Sequence, residues 1–174
     1  NEIQTLEFAS ALEGLDVRAM DKVEFIEEPL QKVHDEGGNW SLAGQVGALE
    51  RSYLRTAISY ALDESIADLA KKHDWCFESM RDDLKEVFRQ GPRGCAAIVL
   101  KPALLGVELS ARLAWLARSQ LEIGAVYSSS FDSGLGLAYT AFLGHLADQV
   151  TSSVRSYAHG VGTFMMLGAD TLTP

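Results

Sequence analysis

Four short groups of polar residues stand out because each one closes an apolar run: Glu27-Glu28, Asp63-Glu64-Ser65, Lys101 and Ser128-Ser129-Ser130. Carboxylates, an ammonium group and hydroxyls are the ingredients of a site that holds a cation and moves a proton. If the runs before them are strands that all point one way, the four groups emerge on one rim. In a (β/α) barrel, the C-terminal rim is where the chemistry sits. Two carboxylates a few ångströms apart in a partly dry site repel strongly. A divalent cation relieves that repulsion, and hard oxygen ligands favour magnesium over zinc. Lys101, on the next strand, would then face the bound substrate as base, acid or positive partner. Singly, each group has a plainer reading as a helix cap, a loop residue or a solvated rim cation. Their recurrence on consecutive units is what points to a site.

The elements that must position these groups follow from the apolar spacing. Residues 3–20 carry apolar side chains at Leu6, Ala9, Leu12, Leu15 and Ala19, which suits one helix face. The run at residues 23–26 is β-branched and aromatic and is stopped by Pro29, as a buried strand would be. A polar stretch follows at residues 31–39, then a helical pattern over 41–55. Further strand-like runs lie at residues 57–62, 95–100, 125–127 and 163–167, with helical patterns at 80–89, 110–121 and 135–150. Strands alternating with helices of this length imply parallel crossovers. Near-continuous apolar strands imply a sheet covered by helices. The expected class is α/β, with about five parallel strands forming the C-terminal part of a (β/α)8-type barrel.

Composition excludes several alternatives. With 47% hydrophobic and 22% charged residues, the chain of 174 residues is far from the signature of disorder and fits one domain. A formal charge of −9 argues against nucleic acid or a polybasic membrane contact. Cys76 and Cys95 are too few for a disulfide scaffold or a four-thiolate zinc site. No apolar run approaches the roughly 18 residues of a membrane span. No leader-like segment precedes the first helical pattern.

The strings Phe25-Ile26-Glu27-Glu28-Pro29, Leu62-Asp63-Glu64-Ser65, Ile98-Val99-Leu100-Lys101-Pro102 and Ser128-Ser129-Ser130-Phe131-Asp132-Ser133-Gly134-Leu135-Gly136-Leu137 resemble the enolase superfamily. More closely they resemble its o-succinylbenzoate synthases. The long linkers look most like the synthase region of multifunctional plant and algal phylloquinone-pathway proteins, which implies a chloroplast location. The resemblance implies that Glu27 and Asp63 are two of three carboxylate ligands to one Mg²⁺, with Glu28 a carboxylate behind them. It implies that Lys101 is the lysine of the sixth barrel strand, a positive neighbour lying across the substrate ring. Ser128 and the backbone around Gly160 would hold the succinyl carboxylate. The implied reaction is loss of water from 2-succinyl-6-hydroxy-2,4-cyclohexadiene-1-carboxylate to give o-succinylbenzoate. It begins with removal of a proton next to a carboxylate, by the superfamily's general mechanism of a lysine base with Mg²⁺ on the enediolate.

A full barrel needs about 200 to 250 residues, so five strands imply a segment that works with the rest of a barrel and a capping domain. The third metal ligand and a second-strand lysine are expected upstream of Asn1. Residues 31–46 look inserted relative to bacterial synthases, and the linker from Ser65 to Cys95 is long. Asp132 stands where many relatives carry Glu. Other superfamily chemistries (N-acylamino acid racemase, dipeptide epimerase, cycloisomerase) share this residue set, and a non-catalytic half-barrel is the contrasting class. The remaining candidates read as structural. His34, His73, His145 and His159 lack metal-ligand spacing, Gly134-Leu135-Gly136 suits a tight βα turn, and Trp40, Trp75 and Trp115 suit packing. Residues 81–86 suit a solvated helix face with local ion pairs.

Overall fold

In the computed structural model, the runs that end at the polar groups form one parallel sheet. The structure describes residues 7, 10, 22–34, 37–130, 132–150 and 153–162. Strands β1 (Ile26–Glu27), β2 (Tyr60–Leu62), β3 (Cys95–Leu100) and β4 (Gly124–Tyr127) lie side by side in sequence order, every pair parallel. Beyond β4 an isolated parallel bridge joins Ser128 to Gly160, so the chain adds a fifth strand position there. The strand expected at residues 163–167 lies outside the described residues. So does the helix expected at residues 3–20, except Glu7 and Ser10, which are helical.

Among the described residues, six helices connect the strands. They are α1 (Leu42–Thr56), α2 (Glu64–Lys72), α3 (Phe77–Val87), the single turn α4 (Pro102–Leu105), α5 (Val107–Gln120) and α6 (Gly134–Asp148). Their ends follow local chemistry. Ser41 caps α1 by accepting from the Gly44 N–H, and Ala57 ends that helix in the left-handed region at φ 57°. Ser133 caps α6 by accepting from the Gly136 N–H, so Gly134-Leu135-Gly136, expected as a tight βα turn, forms the first turn of the helix itself. Lys101 is followed by Pro102 at the first position of α4, where a missing N–H costs nothing. The stretch at residues 31–46 is tied down by Gln45, which is fully buried. It accepts from the Val33 N–H at 2.8 Å and donates to the Leu30 carbonyl.

The two faces of the sheet carry different side chains. One face presents Tyr60, Leu62, Ile98, Leu100, Ala125 and Tyr127 to the helices, and with Leu49, Ile66, Met80, Leu84, Leu113 and Leu116 they make the main core. Each such leucine or isoleucine contributes roughly 1.5–3 kcal/mol by leaving water. The other face is lined by small residues, Ala61, Ala97, Val99 and Val126. Phe25 and Tyr157 pack on them, with ring centroids 5.1 Å apart at 88°. A Cβ at Gly124 would sit 2.7 Å from the Tyr157 ring, so only glycine lets that ring settle on the inner face. An incomplete barrel would be expected to expose this face. Instead these four residues are buried, with Phe25 and Tyr157 packed against them.

Candidate functional site

Strand parity decides which polar groups share a face. Side chains alternate along a strand, so Glu27 follows Phe25 on the inner face and Asp63 follows Ala61. In the same way Lys101 follows Val99 and Ser128 follows Val126. All four stand at the C-terminal ends of adjacent strands, and Glu27 is registered against Ala61, one alternation short of Asp63. The alternate positions, Leu62, Leu100 and Tyr127, point into the helical core.

Asp63 and Lys101 meet directly. The Lys101 Nζ lies 2.6 Å from both carboxylate oxygens of Asp63, and the Asp63 side chain is 9% exposed. Burial pushes the Asp63 carboxyl above its usual range, against the lowering effect of the Lys101 hydrogen bond. Glu27, more exposed at the rim, is also pushed up, first by desolvation and then by the charge of Asp63. The rim is therefore a partly dry place where two carboxylates feel each other and a cation is favoured. Beside Asp63 and Lys101, a cavity of about 60 Å³ opens against Glu64, Ile66, Val99 and Leu104. Among the described residues no three of His, Cys, Asp and Glu are grouped closely enough to hold a metal.

Glu28 occupies a position that linear spacing does not reveal. Its backbone turns into the left-handed region at φ 32°, which swings the chain out of β1. The carboxylate then accepts from the backbone N–H of Asp63 and of Ser65, each at 2.9 Å, and from the Ser65 hydroxyl. Asp63 is the N-cap residue of α2, yet its own side chain makes no cap hydrogen bond. Glu28 supplies the cap from the neighbouring strand, leaving the Asp63 carboxylate to Lys101 and the rim.

Ser128 donates its N–H to the Leu100 carbonyl, which fixes it beside Lys101. The Gly160 N–H donates to Tyr127 and its carbonyl accepts from the Ser129 N–H, so both backbone groups of Gly160 are spent on the sheet. Gly160 matters here for space, since a Cβ there would come within 3.0 Å of the Ser128 hydroxyl. His159 holds this strand in place. Its Nδ1 accepts from the Tyr127 N–H at 3.0 Å, and its Nε2 lies 3.5 Å from Asp148. Of the residues set aside as structural, Trp40 packs on the core, while Trp75 and Trp115 are 48% exposed and are not packing groups. Asp83, expected to pair locally on a solvated face, instead bridges to Lys72 and His73 of the preceding helix end.

No protein-family model matches the chain. It is 30% identical over 160 residues to Protein PHYLLO, chloroplastic, of Arabidopsis thaliana, which covers 86% of this chain and 8% of that protein. Its fold is that of MenC from Desulfotalea psychrophila (TM-score 0.60, 22% identity, 90% of this chain and 36% of that one). A dipeptide epimerase from Cytophaga hutchinsonii, complexed with Mg and D-Ala-L-Val, is similar in fold (TM-score 0.56, 19% identity, 92% and 35%). The chain thus spans about a third of the solved chains and a small part of the curated relative.

Proposed function

We propose, from the premise that this chain has the fold of an enolase-superfamily barrel and resembles its o-succinylbenzoate synthases, that it supplies one side of a Mg²⁺-dependent synthase site. The reaction is loss of water from 2-succinyl-6-hydroxy-2,4-cyclohexadiene-1-carboxylate. The observation that carries the reading is the emergence of Glu27, Asp63, Lys101 and Ser128 on one face at adjacent strand ends. The donor set fits the ion. Magnesium keeps several waters and needs only one or two protein carboxylates of hard oxygen character, which Glu27 and Asp63 provide. When bound, the ion supplies a Lewis acid that stabilises negative charge developing on a substrate carboxylate.

The chain's own residues have distinct tasks in this scheme. Glu28 and the first turn of α2 hold Asp63 in its orientation. Lys101, hydrogen-bonded to Asp63, presents positive charge toward the inner face, where it attracts an electron-rich ring. The Ser128 hydroxyl, kept accessible by the missing Cβ at Gly160, binds the distal carboxylate. The base that removes the first proton, a third carboxylate and the capping domain belong to the remainder of the barrel, which is the chain's first partner. The name of the curated relative extends the proposal to a chloroplast.

The test uses the full-length protein that contains this segment. Glu27→Gln and Asp63→Asn should each abolish dehydration and weaken Mg²⁺ binding measured by calorimetry. Lys101→Ala should lower turnover while Mg²⁺ still binds. Near-parent turnover of either carboxylate variant at saturating Mg²⁺ would remove the ligand assignment. Because the dipeptide epimerase shares the fold, the same protein should also be offered dipeptides and N-acyl amino acids. Epimerisation or racemisation without dehydration would select that second reading.

A further inference from the structure

The outer flank of α6 carries a stripe that the proposed reaction does not use. Leu135, Tyr139, Phe142, Leu146 and Val150 recur at helical spacing along one side, between 36% and 66% exposed. Trp115, on the neighbouring α5, is 48% exposed. Between the two helices lies a groove of about 180 Å³ lined by Ala111, Ala114, Leu146, Ala147 and Val150, with Tyr127 below. A large continuous apolar surface of this kind marks an interaction site.

Among the described residues, the segment that follows α6 does not cover it. Gly144 is the residue of α6 that faces the Gly160 strand, where a Cβ would come within 2.4 Å of His159. By helix geometry, the stripe sits on the opposite flank, toward α5. Charge narrows the choice of occupant. The whole chain is formally −9, yet residues 134–147 contain no Asp, Glu, Lys or Arg. Two copies of so acidic a chain repel each other, and along α6 they would meet without facing charges. The surface is also self-complementary, since a ridge of Phe142 and Leu146 borders a groove floored by alanines. A two-fold axis would put each ridge into the other copy's groove. Six large side chains, each about half exposed, uncover on the order of 500–600 Å². With the exposed Ala138 and Ala141 between them, that approaches the roughly 800 Å² per partner of a stable interface.

We infer that the α5–α6 flank is a dimer interface occupied by a second copy of this chain. The inference is independent of the reaction proposed above. Sedimentation velocity of the full chain, from micromolar to submillimolar concentration, should show a monomer–dimer equilibrium. Phe142→Glu with Leu146→Glu should raise the dissociation constant by roughly 30-fold or more, with unchanged far-UV circular dichroism. Leu54→Glu, at an exposed position on α1, should leave the dimer intact. In a Cys76→Ser background, oxidised Leu146→Cys should give a covalent dimer where Leu54→Cys does not, which keeps the test open if the glutamates unfold the chain. A monomer at every concentration overturns the inference, as does a dimer indifferent to the α6 substitutions. A chain that stays monomeric and loses its α6 exposure only on adding the remainder of the barrel also overturns it, in favour of that occupant.

Discussion

Glu28 carries more of the site's architecture than its place beside a candidate ligand suggests. A carboxylate that accepts two backbone N–H groups at 2.9 Å and a hydroxyl at a helix start makes charge-assisted bonds. These are worth about 1.5–3 kcal/mol where they are not exposed to water. Glu28→Gln should therefore destabilise the metal-free chain by about 2 kcal/mol in urea denaturation. Ser65→Ala should cost about 1 kcal/mol. Because both act on one cap, the double variant should cost clearly less than the sum. An additive cycle would mean that the three groups do not act as a unit. The run of polar residues after each apolar stretch was legible in the sequence, and the resemblance drew attention to a carboxylate at Glu28. Its partners were not legible. They lie 35 and 37 positions away, and only the strand register brings them into reach.

Among the elements, the strands that sequence marks well are those whose boundaries are enforced by chemistry on both sides. The run at residues 95–100 is a strand over those same residues, entered from Gly94 at φ 75° and left at Lys101-Pro102. The run at 57–62 shortens to Tyr60–Leu62, because Ala57 is consumed as the cap of α1. Apolar content alone does not register that demand. The α6 pattern was legible in extent, but its packing depends on Gly144, where the His159 ring lies within 2.4 Å of any added Cβ. Gly144→Ala should push His159 off the helix, cost about 1–3 kcal/mol, and speed hydrogen exchange of the Tyr127 amide, whose acceptor is His159 Nδ1. An unchanged amide would mean that the histidine is not what secures the last strand. Between α2 and α3, Asp83 is lowered below the ordinary carboxylate value of 3.8. Its partial burial works upward, and the hydrogen bonds from His73 and Lys72 outweigh it. A depressed pKa in the folded state contributes stability above pH 3.8 that is lost as pH falls through the folded value. The stability gap between the parent and Asp83→Asn should accordingly close as pH falls below that value. A gap that grows on acidification would reverse the assignment, and its size will be small because the group is near the surface.

For the whole molecule, the question is what one contiguous side of a barrel can do alone. The inner face does not stay open. Glu24 pairs with Arg155, Phe25 meets Tyr157, and the small residues of the sheet are covered beneath them. Among the described residues, that closure accounts for how a four-stranded parallel sheet buries both faces. Lys101 Nζ is 2.6 Å from both oxygens of Asp63, an arrangement that suits a fixed positive partner. In the scheme proposed above, the base that takes a proton from the weak carbon acid stands elsewhere on the rim. The chain should therefore fold cooperatively by itself, bind Mg²⁺ weakly through Glu27 and Asp63, and give no dehydration of the cyclohexadiene acid above buffer. Activity should appear when the remaining strands of the barrel are supplied, covalently or as a complementary fragment, and should vanish from that assembly with Asp63→Asn. Turnover by the isolated chain would show that Lys101 is itself the base, and the division of labour proposed for this rim would have to be redrawn around it.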